Sequence, residues 1–176
     1  MRLSRLKKAI ILANLLCAVS FPAMAGMLEG FVDFDGQPAA LNKIFPKERW
    51  VVVMIWSHTC PICAREMSAQ VKFHERHREG DIAVLGMSLD GQSDTFEAWA
   101  FSEEHSVTFP NVLAGPQSVA KFFYETSGRR LKGTPTFMIF GPKRELKAVQ
   151  SGPVAPEVIE RFIDQRKKTI DSIANL

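Results

Sequence analysis

The chain has 176 residues, of which 46% are hydrophobic and 23% are charged. Its formal net charge is +3, but four of its 22 cations and none of its 19 acids lie in residues 1–25, so the remainder carries 18 cations against 19 acids, or −1. A chain without a basic excess is not expected to bind nucleic acid. No repeat or low-complexity segment interrupts it, and about 150 residues suffice for one domain with a core.

Residues 1–25 have the parts of a secretory signal peptide. Basic residues come first, an apolar run extends from Ala9 to about Phe21, and an Ala-x-Ala cleavage site precedes Gly26. The apolar run is shorter than the ~20 residues that a membrane-spanning helix needs. We therefore expect cleavage, no stable membrane insertion afterwards, and export of a domain of residues 26–176 to the periplasm. The alternative is an uncleaved leader that anchors the domain on the periplasmic side.

The exported part opens with a predicted hairpin and a predicted central strand. Residues 31–34 are a short strand candidate, and Asp35-Gly36 is a turn signal before a weaker second strand. Residues 50–56 (Trp-Val-Val-Val-Met-Ile-Trp) are apolar, largely β-branched and bounded by charge. This run predicts a strand buried in the middle of a sheet.

Cys60 and Cys63 lie between this strand and a predicted helix, since residues 64–78 contain no Gly or Pro and repeat apolar residues at helical spacing. The first turn of a helix offers unpaired N–H groups and the positive end of the helix dipole, which stabilise a thiolate. A Cys-x-x-Cys motif at this position lowers a thiol pKa below its free value of about 8.5. We therefore expect Cys60 to be the nucleophile and Cys63, one turn deeper, to resolve a mixed disulfide.

Two other uses of the cysteine pair remain open at this point. A zinc or copper site would have to recruit His58 or another histidine, because the exported part has no second cysteine pair. A purely structural disulfide would close a very small loop and restrain little of the unfolded chain. In an oxidising compartment the pair is either a disulfide or part of the machinery that handles disulfides.

The remaining elements follow in an order that alternates strands and helices. A helix opening near Ser93 has Asp94 and Glu97 at capping-box spacing and is expected to place Phe96, Trp99 and Ala100 on one face. The other predicted elements are a strand at 82–89, an edge segment at 109–113, a helix at 117–124, strands at 137–140 and 145–150, and a helix from Pro156. This pattern predicts a three-layer α/β fold with a mixed sheet.

With Cys60-Pro61-Ile62-Cys63 after the buried strand and Gly133-Thr134-Pro135-Thr136 before a later one, the chain resembles the thioredoxin-fold thiol-disulfide oxidoreductases of the TlpA/ResA-like (redoxin) branch. The motifs "Phe-Asp-Gly-Gln-Pro", "Val-Leu-Gly-Met-Ser-Leu-Asp" and "Val-Thr-Phe-Pro" occur in the matching order. The resemblance covers nearly all of the exported part. It implies a thioredoxin-like three-layer sandwich with an N-terminal hairpin and a TlpA-type insertion.

The resemblance also implies roles for particular residues. Pro135 matches a cis proline beside the redox-active disulfide Cys60–Cys63, and Thr134 matches a residue whose backbone pairs with an extended substrate segment. Glu66 matches an acid that moves a proton during exchange, although it could equally be ordinary first-turn helix charge. The chain departs from the pattern at Met54, where thioredoxin has a buried Asp, and at Thr59, where Trp is usual.

The resemblance implies an exported enzyme that exchanges a disulfide with protein substrates. It further implies a reductant, in cytochrome c maturation or in general disulfide reduction, supplied by a membrane-bound thiol donor. We expect no cofactor and no metal. One alternative is a thiol peroxidase, because peroxiredoxins share the fold. Val53, however, occupies the position at which the peroxiredoxin pattern has a Pro. The other alternative is a copper-handling protein that uses His58, Cys60 and Cys63.

Overall fold

The computed structural model describes residues 28–174. Within this range the chain forms five strands and five helices. Helices and strands alternate along most of the chain, which ends with a hairpin of two strands followed by a helix. In chain order they are α1 (Leu41–Ile44), β1 (Trp50–Trp56), α2 (Pro61–His77), β2 (Ile82–Ser88), α3 (Thr95–Glu104), β3 (Asn111–Leu113), α4 (Pro116–Ser127), β4 (Thr136–Phe140), β5 (Leu146–Ser151) and α5 (Pro156–Ala174). The strands and helices predicted after the N-terminal hairpin are present to within a few residues.

The five strands form one mixed sheet in the order β3-β2-β1-β4-β5. Strand β1 is parallel to β2 and antiparallel to β4, so it has hydrogen-bonded neighbours on both sides. All seven of its residues are buried, which explains why they form an unbroken apolar run. The carboxyl end of β1, from which the chain leads to Cys60, therefore lies in the middle of one edge of the sheet.

Side chains of β1 alternate between two apolar layers, because successive residues of a strand point to opposite faces. One layer contains the even-numbered residues of β1 together with buried side chains of α2, α3 and α5. The other contains the odd-numbered residues together with side chains of α1 and α4. The predicted three-layer sandwich is thus confirmed, with one layer of helices on each side of the sheet.

Helix α3 and strand β3 occupy the place of the expected insertion. The indole of Trp56, at the end of β1, stacks on Phe101 of α3 with ring centroids 5.0 Å apart. Its Nε1 donates a hydrogen bond of 3.0 Å to Oδ1 of Asn111 at the start of β3. A Cβ atom at Gly86 of β2 would overlap the Asn111 side chain, so this contact requires glycine there. One tryptophan thereby holds both parts of the insertion on the sheet.

Helix α3 presents its predicted apolar face to solvent and lacks its predicted cap. Phe96 and Trp99 lie on one face as expected, with ring centroids 5.8 Å apart. They are 70% and 43% exposed, and the buried face of the helix carries Phe101 instead. Apolar residues occur on several sides of α3, so their spacing could not show which side Trp56 would cover. Asp94 is the N-cap but makes no side-chain cap hydrogen bond, and no capping box forms. Its φ of −114° and ψ of 29° depart from the extended conformation that directs a capping side chain to the helix N–H groups.

The predicted N-terminal hairpin is reduced to a turn with isolated bridges. Gly36 adopts a φ of +73°, as the turn requires. Val32 pairs with Pro38 and with Leu113 of β3, but each pairing is a single bridge. The pairing with Pro38 extends over one bridge only, while the N–H and the carbonyl of Val32 both form hydrogen bonds with Leu113.

Among residues 28–174, no helix combines the length and the apolar character needed to cross a membrane. The expected signal peptide of residues 1–25 lies outside the described residues, so its cleavage stays a prediction.

Candidate active site

Cys60 is the N-cap of α2. Its backbone is extended, with φ −92° and ψ 105°, and Pro61 takes the first helical position, where a missing N–H leaves no hydrogen bond unmade. The N–H of Cys63 donates to Sγ of Cys60 at 3.0 Å, which is the bond that a Ser or Asp side chain accepts at other helix starts. This donor and the positive end of the helix dipole both stabilise negative charge on the Cys60 sulfur.

Cys63 lies directly behind Cys60 and is bonded to it. The two residues form a disulfide with their Cα atoms 5.2 Å apart, so this structure is the oxidised form of the pair. Cys63 is 0% exposed and packs in the apolar layer under α2, whereas Cys60 is 9% exposed. An approaching molecule can therefore reach the sulfur of Cys60, while the sulfur of Cys63 is shielded.

The loop before β4 contacts the disulfide from the other side. The Thr134–Pro135 peptide bond is cis, and Pro135 is buried. The carbonyl oxygen of Thr134 lies 3.4 Å from Sγ of Cys60. The carbonyl of Pro135 accepts a hydrogen bond of 2.9 Å from the N–H of Gly152, which fixes this loop to the end of β5. The structure thus brings Cys60, Cys63, Thr134 and Pro135 into one site.

Glu66 and Met54 occupy less informative positions. Glu66 lies one turn beyond Cys63 on α2 and is partly exposed. Within residues 28–174 it forms no ion pair and no side-chain hydrogen bond, so its carboxylate is unrestrained. Met54 is fully buried in the apolar layer that contains both cysteines, and it places a thioether where thioredoxin has a carboxylate.

A buried carboxylate lies beside the site, at the end of the motif Val-Leu-Gly-Met-Ser-Leu-Asp, where the sequence predicted no functional residue. The side chain of Asp90 is 5% exposed and accepts hydrogen bonds from the hydroxyls of Ser57 and Ser88, at 2.6 and 2.7 Å, and from the N–H of His58 at 2.9 Å. Its carboxylate is also 3.0 Å from Nδ1 of His58, at ion-pair distance but without the alignment of a ring hydrogen bond. Asp90 therefore binds the loop that leads from β1 to Cys60.

Asp90 could have been found by a topological argument. It follows β2 by two residues, and β2 runs parallel to β1, so the carboxyl ends of both strands meet at the same edge of the sheet. A polar side chain just after β2 is consequently close to whatever follows β1. The sequence showed both strands, but it did not show that they are neighbours.

An accessible sulfur at a helix N-terminus, a buried partner sulfur and a carbonyl group alongside can carry out exchange between thiols and disulfides. Within residues 28–174, no three His, Cys, Asp or Glu side chains are grouped as ligands for a metal ion. The model of the AhpC/TSA family matches residues 19–149, and the chain belongs to this family. The family, the fold and the cysteine pair together define a thiol-disulfide oxidoreductase of the thioredoxin fold.

Individual relatives are distant but agree in kind. The chain is 19% identical over 120 residues to the sporulation thiol-disulfide oxidoreductase A of Bacillus subtilis (strain 168), covering 68% of this chain and 69% of that protein. A thiol:disulfide interchange protein of Chlorobium tepidum TLS, of the thioredoxin family, has a similar crystal structure, with a TM-score of 0.63 and 19% identity over 76% of this chain and 89% of that one.

A secreted disulfide oxidoreductase of Mycobacterium tuberculosis has a TM-score of 0.56 and 13% identity, covering 73% of this chain and 87% of that one. Similarity at this level of sequence identity shows a shared fold and no more. It agrees with the resemblance to TlpA/ResA-like proteins that the sequence motifs indicated.

Proposed function

We propose that the protein exchanges the Cys60–Cys63 disulfide or dithiol with cysteine-bearing protein substrates, and that it acts as a reductant. The observation that carries the proposal is the position of Cys60. Its sulfur caps α2 and accepts a hydrogen bond from the backbone of Cys63, and Cys60 is the less buried cysteine of the pair. A sulfur in this environment is stabilised as a thiolate, both when it attacks and when it leaves.

In the reducing direction the reaction takes two steps. The thiolate of Cys60 attacks one sulfur of a substrate disulfide, which forms a mixed disulfide and releases the other substrate sulfur as a thiolate. The thiolate of Cys63 then attacks Sγ of Cys60, which forms the Cys60–Cys63 disulfide and releases the second substrate thiolate. The substrate gains two electrons and the protein loses two. A dithiol donor must restore the reduced pair.

The neighbouring residues take supporting roles in this proposal. The backbone of Thr134, beside Cys60, pairs with the extended substrate segment, and buried Pro135 shapes the loop that presents it. Glu66 accepts or supplies a proton as the thiol of Cys63 becomes a thiolate. Its partial exposure and its place one turn beyond Cys63 leave it free to exchange that proton with water.

Direction, partners and location rest on the resemblance. Pro61-Ile62 lacks the His that strongly oxidising thioredoxin-like proteins carry between their cysteines. We propose a periplasmic protein, with residues 1–25 as its signal peptide and 26–176 as its domain, which is reduced by a membrane-bound thiol donor. The resemblance to a secreted relative supports export. Equilibration with glutathione tests the direction, and a reductant should have a potential below about −200 mV.

Rapid alkylation and trapping test the mechanism. After full reduction, brief treatment with iodoacetamide at neutral pH should modify Cys60 before Cys63, as peptide mass spectrometry would show. Cys63→Ser should attack disulfides and accumulate mixed disulfides with cellular proteins, whereas Cys60→Ser should form none. Faster modification of Cys63, or exchange activity in Cys60→Ser, would show that the mechanism is wrong. The proteins captured by Cys63→Ser would identify the substrate class.

Membership of the AhpC/TSA family also supports a thiol peroxidase as a second candidate. Peroxiredoxins share the pattern Pro-x-x-x-(Thr/Ser)-x-x-Cys around the reactive cysteine. In this chain Ser57 fits the Thr/Ser position, while Val53 replaces the Pro. The hydroxyl of Ser57 donates to Asp90, which engages it away from Cys60. Consumption of hydrogen peroxide by the reduced protein would favour the peroxidase, and copper in protein purified without added metal would favour a copper-handling role.

A further inference from the structure

The loop that leads to the disulfide carries an uncompensated basic group. Arg129, Arg130 and Lys132 lie between the end of α4 and Thr134, and all three are exposed. Within residues 28–174 none of them has a carboxylate within ion-pair distance, although nearby Glu125 and Glu145 pair with other lysines. The domain has a net charge of −1, so this cluster is a local feature and not part of a general basic excess.

The loop is held in place by its apolar and backbone groups, not by its cations. Leu131 is partly buried and packs on the apolar layer that contains α4, while its neighbours Arg130 and Lys132 remain exposed. Gly128 ends α4 with a φ of +67°, and the N–H of Arg129 donates to the hydroxyl of Ser127 at 3.1 Å. The charged side chains are thus left available for another molecule.

These cations line a depression beside the loop that leads to Thr134 and Pro135. The depression has a volume of about 470 Å³ and is lined by Phe123, Arg129, Arg130, Lys132, Val149 and Ser151. Ser151 pairs with Thr136, and the next residue, Gly152, donates to the carbonyl of Pro135. The depression therefore adjoins the Thr134–Pro135 loop, whose carbonyl oxygen is 3.4 Å from Sγ of Cys60.

The exposed residues that flank Cys60 in the chain are uncharged. Thr59, Pro61 and Ile62 are exposed, and the side chain of Ile62 is 37% exposed despite being apolar. A segment lying across Cys60 would meet apolar and hydroxyl groups on the side of these residues and cations on the Thr134 side. The two sides therefore differ in the residues that they would favour in a bound segment.

We propose that this basic depression selects substrate segments in which acidic residues lie close to the reacting cysteine. The inference rests on the proposed function, since it takes Thr134 as the point where the segment pairs. Lys132 and Arg130 precede Thr134 by two and four residues, and an extended chain advances about 3.3–3.6 Å per residue. Asp or Glu about two to five positions from the substrate cysteine would then meet these cations. Rim charges of this kind act mainly on the rate of association.

The test uses the reduced protein in single turnovers against three synthetic peptides. Each peptide has one cysteine, which forms a mixed disulfide with 2-mercaptoethanol. The peptides differ in carrying three Asp, three Asn or three Lys at positions two to five from that cysteine. Each set is made twice, with these residues on the N-terminal or on the C-terminal side of the cysteine. At low salt we expect the reduced protein to release the Asp peptide from its mixed disulfide about tenfold faster than the Lys peptide. The difference should shrink in 0.5 M NaCl, because salt screens exposed charges.

Charge-reversal variants locate the effect. The variant Arg130→Glu/Lys132→Glu should release the Lys peptide faster than the Asp peptide. Because both rates are measured on the same variant, a general loss of activity does not affect their ratio. Lys72→Glu/Arg161→Glu changes the net charge equally at exposed sites on α2 and α5, which pack on the opposite face of the sheet from α4. That control should keep the wild-type ratio. Circular dichroism and urea unfolding check that each variant folds.

Each outcome separates this inference from the function on which it rests. Equal wild-type rates for the Asp and Lys peptides at low salt would overturn the acidic preference, as would an unchanged ratio in a folded Arg130→Glu/Lys132→Glu variant. Reaction of the wild type with neutral 2-hydroxyethyl disulfide would in that case leave the exchange function standing. Failure of the reduced wild type with that compound and with all three peptides would overturn both.

Discussion

At the scale of single residues, Asp90 shows how a side chain outside the Cys-x-x-Cys motif organises the approach to Cys60. Its carboxylate binds two hydroxyls and one backbone N–H, and two of these three donors belong to the segment between β1 and α2. Because the carboxylate is almost completely buried, water cannot readily replace it as an acceptor. The conformation of Ser57 and His58 therefore depends on a residue contributed by another strand.

Asp90→Ala should destabilise the protein by about 3 kcal/mol, because each buried donor left unpaired costs ~1–3 kcal/mol and not all can turn to water. Urea unfolding of the oxidised protein measures this loss. Asp94→Ala is the matched control, since Asp94 makes no side-chain cap hydrogen bond and its removal should cost less than ~1 kcal/mol. Similar losses in the two variants would contradict the role given to Asp90.

His74 couples stability to pH. Burial lowers the pKa of its imidazole, the charge of Glu75 opposes this change, and the charges of Arg78 and Arg49 add to it. In the unfolded chain the same group titrates near 6.5. Between the lowered pKa and about 6.5 the unfolded state binds more protons, so the free energy of unfolding falls as the pH is lowered through that range and is fully recovered above it.

Replacing His74 should therefore flatten the pH dependence. We expect the free energy of unfolding of His74→Leu to fall less than that of the wild type between pH 7.5 and the acid end of the His range. Chemical denaturation at a series of pH values measures both slopes, and comparing the two proteins removes contributions from the other histidines. Equal slopes would show that His74 is not the titrating group.

At the scale of elements, the end of α2 depends on a side chain from the start of β1. Arg49 precedes that strand, and its Nη2 donates to the carbonyls of His77 and Arg78, both at 3.1 Å, and of Ile82 at 2.6 Å. The C-cap residue Arg78 has right-handed helical angles, so no left-handed glycine satisfies the last carbonyls. One guanidinium thus joins β1, α2 and β2.

Arg49→Met should destabilise the protein by about 2 kcal/mol, because carbonyls at the helix end lose a charged donor. Arg78→Met, which removes an exposed cation from the same helix end, should cost under ~1 kcal/mol. Arg49→Lys should recover only part of the loss, since a single ammonium group lacks the planar fork of donors. Urea unfolding of the three variants compares them, and equal costs for Arg49→Met and Arg78→Met would contradict this account.

At the scale of the whole molecule, the two helix layers meet the sheet in different ways. Helices α2, α3 and α5 share the layer that contains the disulfide, whereas α1 and α4 cover the opposite face. The site is assembled from both, because Cys60 caps α2 while the loop to Thr134 descends from α4. The cysteines of the proposed exchange reaction belong to one helix layer, and the cations proposed to select acidic segments follow a helix of the other. Substitutions can therefore change the reaction and the specificity separately.

The N-terminal leader is the other prediction that concerns the whole molecule. Protein recovered from the periplasm should begin near Gly26, because small residues at positions 23 and 25 form a cleavage site. Intact mass spectrometry measures this directly. Ala25→Leu should block processing and retain the full chain at the membrane. Recovery of the unprocessed wild-type chain from the membrane fraction would instead identify the leader as an anchor.

The sequence by itself determined the order of strands and helices, the central position of residues 50–56 and the place of Cys60 and Cys63 at the start of a helix. These features are local, since a strand buried on both faces is apolar throughout, and the two cysteines stand between that strand and a stretch with helical spacing of apolar residues. The order of motifs then pointed to Thr134 and Pro135. Their closeness to the disulfide followed from the family pattern and not from spacing.

Only the tertiary structure decided which elements are neighbours. It turned Phe96 and Trp99 outward because Trp56 selects the Phe101 side of α3. It also reduced the first hairpin to single bridges and placed Val32 beside β3. It also brought Asp90 to the loop before Cys60, since β2 lies beside β1. Contacts between residues distant in sequence depend on how the sheet is ordered, and local periodicity carries no information about that order.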